Sequence, residues 1–166
     1  MPADIQALLK QLHNESYIWA LRCCRGHKDE AMEALQESYL KALDGRARFN
    51  EQSGFKTWLF AVIKITVADM RRKRVIEAIK NVEIGELFRL KTFNTKYSER
   101  DAANVNEQLL RCLSQLSPRQ EQVLRLVFYH GFTIEETATI MGISVGSART
   151  HYERGKTNLR SKIKLY

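Results

Sequence analysis

The sequence predicts an all-α protein made of two small helical domains joined by a flexible linker. Apolar residues recur at three- and four-residue intervals through most of the chain, and no stretch shows the alternation of a half-buried strand. Only two prolines and eight glycines interrupt the 166 residues, which favours helices with short connections. Residues 81–105 lack a clean period, and a loop of that length is unusual inside one compact domain. We therefore expect domains at residues 1–80 and 106–166.

Two helices are predicted before the first long loop. Apolar side chains recur near helical spacing through residues 3–25, and Gly26 interrupts this pattern. The second helix spans residues 29–43, where Asp29 suits the positive end of the helix dipole. Its buried stripe is predicted to comprise Ala31, Ala34, Leu35, Tyr39 and Leu43.

A polar loop at residues 45–54 leads into a third helix at residues 55–74. Apolar side chains cover a wide arc of this helix, so we expect it to form the core of the first domain. One face of the arc comprises Phe55, Trp58, Leu59, Val62, Thr66 and Met70. The basic run at residues 71–74 suits the negative end of the helix dipole and is equally able to contact phosphates.

The second domain is predicted to begin with two helices. Residues 106–116 place leucines on one side, and Ser117-Pro118 then provides a capping serine followed by proline at the first helical position. The helix that follows is expected to run to His130, where Gly131 stops it. Its inward side chains are predicted to be Val123, Leu124, Val127 and Phe128.

Residues 133–159 fit two helices joined by a tight turn. Thr133 and Glu136 match a capping box, Gly142 allows a sharp turn, and Ser144 is placed to cap the second helix. These are the requirements of a helix-turn-helix, whose second helix enters the DNA major groove. Donors to phosphates or base edges on this helix are Ser144, Ser147, Arg149, Thr150, His151, Arg154 and Lys156. An ordinary helical hairpin with a solvated polar face is the alternative.

The charge distribution supports a polyanionic partner for part of the chain. The formal net charge is +8. Residues 1–69 carry nine basic and nine acidic side chains, whereas residues 70–105 and 106–166 each carry nine basic and five acidic ones. A neutral first part followed by basic parts predicts one surface for protein and another for DNA.

Other classes of function find little support in the sequence. No apolar run approaches a membrane span and the first residues lack a signal-peptide pattern, so we expect a cytoplasmic protein without membrane insertion. Cys23, Cys24 and His27 lack an evident fourth metal ligand, so the three cysteines are interpreted as buried thiols. No catalytic set, metal site or cofactor is predicted.

Two stretches of the chain resemble a known family. Residues 116–160, LSPRQEQVLRLVFYHGFTIEETATIMGISVGSARTHYERGKTNLR, resemble the C-terminal domain of bacterial sigma factors. Residues 34–43, ALQESYLKAL, followed by residues 55–74, resemble the sigma domain that melts promoter DNA. Two such domains with a short linker are typical of the extracytoplasmic-function (ECF) group.

The resemblance implies roles for particular residues. The surface that docks on core RNA polymerase would comprise Glu30, Glu33, Gln36 and Glu37. The melted promoter element would contact Arg46, Arg48, Phe49, Phe55, Lys56, Lys64, Arg71 and Arg72. The recognition helix would read the minus-thirty-five element chiefly with Ser147, Arg149, Thr150 and Arg154. Trp58 is assigned to packing rather than to base stacking. An anti-sigma factor is the further partner that the resemblance implies.

The chain departs from the family pattern at three places. Met32 occupies a position that is often acidic, and modification of Ser38 or a nearby residue is one hypothesis for restoring charge there. Lys64-Ile65 replaces a common Arg-Asn pair, which removes an asparagine able to read a base edge. His151 replaces a frequent arginine. The melted-element sequence therefore does not transfer from relatives.

The leading hypothesis is a transcription initiation factor that binds core RNA polymerase and directs it to specific promoters. The helix-turn-helix would read the upstream element of the promoter, and the first domain would open the downstream element. An autonomous helix-turn-helix regulator is the alternative, but it leaves the acidic helix and the aromatic, basic loop without a role.

Overall fold

A computed structural model of the protein describes residues 4–81 and 107–163. Within these ranges all regular secondary structure is helical, which confirms the predicted fold class. The chain divides into two compact units, residues 1–99 and 100–166. The predicted linker at residues 81–105 lies outside the described residues except for Asn81, so its boundaries stay a prediction. None of the described helices is both long enough and apolar enough to cross a bilayer.

Within residues 4–81 the first unit forms four helices. These are α1 (Ile5–Gln11), α2 (His13–Cys23), α3 (Lys28–Leu43) and α4 (Phe55–Asn81). The prediction of one continuous first helix is wrong at Leu12, which separates α1 from α2 with φ −92° and ψ 4°.

The buried stripe of α3 differs from the prediction at its C-terminal end. Ala31, Ala34 and Leu35 are buried as expected, but Leu43 is 49% exposed. Ser38 and Ala42 complete the stripe instead. Each residue turns the helix by about 100°, so position 43 lies well away from the line joining positions 31, 35, 38 and 42.

The burial of Ser38 contradicts the hypothesis that its modification restores charge. Its side chain is fully buried, and its hydroxyl donates a hydrogen bond of 2.7 Å to the Ala34 carbonyl. A phosphate at this position would bring nearly two negative charges into the packed interface of α3. The hypothesis is therefore wrong for Ser38 in the folded protein, and for a nearby residue it stays a prediction.

Helix α4 forms the centre of the first core, as predicted. Leu59, Phe60 and Ile63 are fully buried. Trp19 of α2 stacks on Phe60 at 5.6 Å between ring centroids, and its indole nitrogen donates to the Phe60 carbonyl at 3.0 Å. The helix extends past the predicted end at residue 74 because residues 75–81 contain no glycine or proline that would end it.

The described part of the second unit, residues 107–163, likewise forms four α-helices. These are α5 (Glu107–Ser114), α6 (Pro118–Leu124), α7 (Ile134–Met141) and α8 (Val145–Ile163). Ser117 caps α6 as predicted, accepting a hydrogen bond of 3.4 Å from the Gln120 amide, and Pro118 opens the helix. Leu113, Leu116 and Leu124 form the core, against which Tyr152 and Leu159 pack.

The inward orientation predicted for Phe128 is wrong. The chain leaves α6 through a π-helical turn, Arg125–Tyr129, and Phe128 is 66% exposed. A π turn contains more residues than an α turn, so it rotates the following side chains away from the face that an α-helical period predicts. Gly131, with φ +73°, ends the turn as expected.

The interpretation of the cysteines as buried thiols is confirmed. Cys23, Cys24 and Cys112 are all free and buried. Burial raises the pKa of Cys23 to about 12 and that of Cys24 to about 11. Because the thiolate is the reactive form, these two thiols are poor nucleophiles in the folded protein.

Candidate nucleic-acid interface

Local hydrogen bonds fix the start of the helix-turn-helix. The Glu136 amide donates to the Thr133 hydroxyl at 3.1 Å, and the Thr133 amide donates to the Glu136 carboxylate at 2.9 Å. The predicted capping box is therefore present. Gly142 ends α7 with φ +64°, a conformation that glycine adopts without a steric penalty.

The second helix of the motif begins at the predicted cap. The Ser147 amide donates to the Ser144 hydroxyl at 3.1 Å. Ala138 of α7 and Ala148 of α8 are both buried, and their small side chains allow the two helices to pack closely. The predicted helix-turn-helix geometry is thus confirmed from its cap to its recognition helix.

Most of the candidate DNA-reading side chains on α8 are exposed. Thr150 and Arg154 lie on the side of the helix away from the buried Ala148 and Gly155, whereas His151 is half-buried at the edge. The exposed members of the predicted set are Ser144, Ser147, Arg149, Thr150 and Arg154. They provide hydroxyl and guanidinium donors on an open surface.

Most members of that set have partners within the protein. The Ser144 hydroxyl donates to the Ser147 hydroxyl at 2.9 Å, and the Thr150 hydroxyl donates to the Gly146 carbonyl at 3.0 Å.

Two of the basic members contact carboxylates. Arg149 lies 3.8 Å from the carboxylate of Glu135 on α7. Lys156 pairs with Glu153 at 3.3 Å and lies 4.4 Å from the centroid of the Tyr152 ring. Lys156 is also half-buried, so it is the less available of the two.

Three aromatic rings meet where the 45–54 loop joins α4. Phe49 lies 5.3 Å from Phe55 and 5.4 Å from Trp58, and Phe55 lies 5.2 Å from Trp58. All three are half-buried. Trp58 therefore packs within this partly exposed group, which we call the aromatic cluster, and its assignment to packing rather than base stacking stays a prediction. The spacing of Phe55 and Trp58, three residues apart on one helix, was the signal for the cluster.

The basic side chains predicted around this cluster are not equivalent. Arg46 contacts Asp44 at 2.6 Å and Glu37 at 2.9 Å, and Lys56 pairs with Glu15 at 2.5 Å. Arg48 is exposed and precedes Phe49 directly. The amide and side chain of Arg46 donate to Asp44 and hold the pKa of that carboxyl below its ordinary value.

The basic residues on α4 likewise differ in whether they already have a contact within the protein. Arg71 donates to the carbonyl of Cys23, the last residue of α2, and so satisfies a carbonyl that a helix end leaves unpaired. Arg72 lies 3.8 Å from Asp69, and Lys64 is half-buried. Arg71 therefore has a structural contact in addition to its predicted role with phosphates.

The acidic side chains predicted to face polymerase do lie along α3, but each contacts an arginine. Arg74 of α4 reaches Glu30 at 2.6 Å and Glu33 at 2.9 Å, while Glu37 accepts from Arg46. Exposed on the same helix are Gln36, Met32 at 42% and Leu40 at 54%. The contacts of Arg74 with Glu30 and Glu33 were not predicted, because no local pattern relates Arg74 to residues more than 40 positions earlier.

Both units match family models. Residues 8–93 match the model described as Sigma-70 region 2, and residues 106–159 match the model described as Sigma-70, region 4. Since the first of these covers more than half of the chain, the protein belongs to the sigma-70 family of RNA polymerase sigma factors.

Full-length relatives place it in the ECF group of that family. The chain is 24% identical to RNA polymerase sigma factor YlaC of Bacillus subtilis, over 96% of this chain and 92% of the relative. It is 26% identical to ECF RNA polymerase sigma factor SigX of the same organism, over 99% and 86% of the two chains. Against EcfG of Rhodopseudomonas palustris the identity is 27%, over 83% and 74%.

Solved structures share the fold. The sigma factor RpoE, in complex with the anti-sigma factor NepR from Bartonella quintana, aligns with a TM-score of 0.72 at 21% identity, covering 97% of both chains. CnrH in complex with the cytosolic domain of CnrY aligns with a TM-score of 0.61 at 16% identity, covering 97% of this chain and 88% of that one.

The chain is therefore an ECF sigma factor, a transcription initiation factor that binds core RNA polymerase and directs it to specific promoters. Sigma factors of this family are not enzymes. The match to region 2 accounts for the first unit, which an autonomous helix-turn-helix regulator would leave without a role.

Proposed function

We propose that the two units hold promoter DNA at two points. In the second unit the outer face of α8 reads the minus-thirty-five element, with Ser147, Arg149, Thr150 and Arg154 as the principal contacts and with Ser144, His151 and Lys156 at its edges. The exposure of these donors on a capped, well-packed helix is the observation that supports this role.

In the first unit the aromatic cluster and the basic side chains around it capture the opened strand. A partly exposed group of rings next to cations suits unpaired bases, because base–aromatic stacking contributes about 1–3 kcal/mol per base. Phe49, Phe55 and Trp58 form the stacking surface, and Arg48 is the exposed cation beside it. The further cations proposed for this role are Arg46, Lys56, Lys64, Arg71 and Arg72.

The acidic face of α3, made of Glu30, Glu33, Gln36 and Glu37, docks on core RNA polymerase. The charges of this face complement a basic partner surface, and the exposed Met32 and Leu40 supply apolar contact area beside them. We place the protein in the cytoplasm, where its polymerase is. We also propose an anti-sigma partner, which is supported by the similar fold of the sigma factor RpoE, whose structure was solved in complex with the anti-sigma factor NepR.

Run-off transcription with purified core polymerase tests the stacking surface. Promoters would first be identified by sequencing transcripts after overexpression. On a duplex promoter Phe49→Ala should reduce promoter-specific transcript by about tenfold, as the loss of one stacked base predicts. On a template with a pre-opened bubble the loss should be smaller, because melting is no longer required.

Gln52→Ala, in the same loop, is the control and should transcribe like the wild type. Equal losses for Phe49→Ala on both templates would contradict a role in opening. The absence of any polymerase-dependent transcript from the wild-type protein would favour the autonomous regulator instead.

A further inference from the structure

The acidic face of α3 is already paired in the free protein. The guanidinium of Arg74 contacts Glu30 through one nitrogen at 2.6 Å and Glu33 through the other at 2.9 Å. Arg46 contacts Glu37 at 2.9 Å and Asp44 at 2.6 Å. All three glutamates proposed to dock on polymerase therefore contact an arginine that lies outside α3.

These ion pairs are exposed enough to open. The side chains of Arg74 and Arg46 are 43% and 54% exposed, and those of Glu30, Glu33 and Glu37 are 32%, 63% and 36% exposed. Exposed ion pairs contribute little to folding stability, because water screens the charges and ordering two long side chains costs entropy. A partner that offers its own cations to the glutamates can therefore replace the two arginines.

We propose that Arg46 and Arg74 form an internal mask over the acidic face, and that core polymerase binds by displacing them. This inference rests on the proposed docking role of that face. Polymerase binding is then an exchange of cations rather than the pairing of open carboxylates. A carboxylate already paired gains less from a new cation, so the mask weakens docking in the free protein.

Displacement from the glutamates has a different consequence for each of the two arginines. Arg74 lies on α4 outside the proposed DNA contacts, so its displacement only opens the face. Arg46 belongs to the proposed strand-binding set, so displacement from Glu37 makes its Nη1 available to a phosphate, while its Nε still contacts Asp44. Polymerase and the opened strand therefore help each other bind, and the coupling is reciprocal.

Arg74→Gln tests the mask, with Lys73→Gln as its matched control. Both changes remove one positive charge from the same turn of α4, but Lys73 is exposed and lies outside the acidic face. In the full-length protein, Arg74→Gln should bind purified core polymerase about threefold more tightly than Lys73→Gln at low salt. The gain should shrink at high salt, where exposed charges are screened.

Equal or weaker binding by Arg74→Gln would overturn the mask. The double variant Glu30→Gln/Glu33→Gln separates this failure from failure of the docking face. If the double variant binds polymerase like the wild type, the acidic face is not the docking surface, and the proposed mask is wrong as well. If the double variant binds more weakly while Arg74→Gln shows no gain in affinity, the acidic face is the docking surface and only the masking by Arg74 is wrong.

The proposed role of Arg46 is tested by measuring the binding of a single-stranded oligonucleotide in the absence of polymerase. Glu37→Gln should bind the oligonucleotide about twofold more tightly than Asp29→Asn, which removes the same charge from the exposed start of α3. Adding Arg46→Gln should abolish this gain. Equal affinities for Glu37→Gln and Asp29→Asn would overturn the link between docking and strand capture.

Discussion

Basic side chains in this protein fall into two groups at the level of single residues. Arg71 and Arg74 contact backbone or carboxylate oxygens of the first unit. Arg48 and Arg154 are exposed on the surfaces proposed to contact DNA. A net charge of +8 therefore overstates the cations that are available to nucleic acid, since part of them already contacts oxygens within the fold.

Arg149 is the residue whose replacement is most informative for promoter reading. If it contacts a base edge, Arg149→Ala should weaken promoter binding by the holoenzyme by about 1–3 kcal/mol and flatten discrimination at one position. If it contacts only phosphate, affinity should fall evenly across sequences. Competition binding with a set of single-base promoter variants distinguishes the two outcomes.

Arg160→Ala is the control for this experiment. Arg160 is exposed near the far end of the same helix, outside the proposed contacts. The Arg160→Ala variant should keep the promoter sequence preference of the wild-type protein. Arg149→Ala with unchanged affinity and unchanged preference would remove Arg149 from the interface.

At the level of elements, the packing of α8 against α6 depends on a glycine. A Cβ at Gly155 would lie 3.2 Å from Leu124 Cδ1 and 3.3 Å from its Cγ, and Leu124 is only 2% exposed. Alanine improves helix propensity by about 1 kcal/mol, but overpacking a buried site costs about 1–3 kcal/mol. Gly155→Ala should therefore destabilise the second unit by about 1 kcal/mol in chemical denaturation.

Gly146→Ala, on the same helix, is the matched comparison. Its Cβ would meet only the Ser144 hydroxyl, at 4.0 Å, so nothing opposes the gain in helix propensity. The midpoint of denaturation should rise for Gly146→Ala and fall for Gly155→Ala. A rise for both would mean that Leu124 moves aside without cost.

For the whole molecule, the proposal that both units contact DNA predicts how promoter binding depends on salt. Each phosphate contact releases counterions, so losing one should reduce the salt slope of holoenzyme–promoter binding by about one. Arg48→Gln and Arg154→Gln, one in each unit, should each have this effect. The double variant should reduce the slope by about two if both units hold the DNA at once.

Lys10→Gln, on the exposed surface of α1, should leave the slope unchanged and serves as the control. A double variant that behaves like either single variant would mean that only one unit contacts phosphate at a time. The two-point arrangement would then be wrong.

Features that depend on a few neighbouring residues were predictable from the sequence. The Thr133–Glu136 capping box, the Ser117 cap and the left-handed Gly142 all form as expected, because their partners lie within three or four residues. The two sigma regions and their order follow from the same local patterns. Residue roles in DNA and polymerase binding stay predictions.

Tertiary structure decided what distant residues do together. Phe128 faces outward because a π turn shifts the helical period, and Trp58 joins Phe49 across a loop. Arg74 reaches Glu30 and Glu33 because α4 packs along α3. The sequence by itself determined the all-α class, the caps at Ser117 and Thr133, the helix-turn-helix and the family, since short-range contacts specify them. Which charges face solvent and which are already paired was decided only when those helices packed.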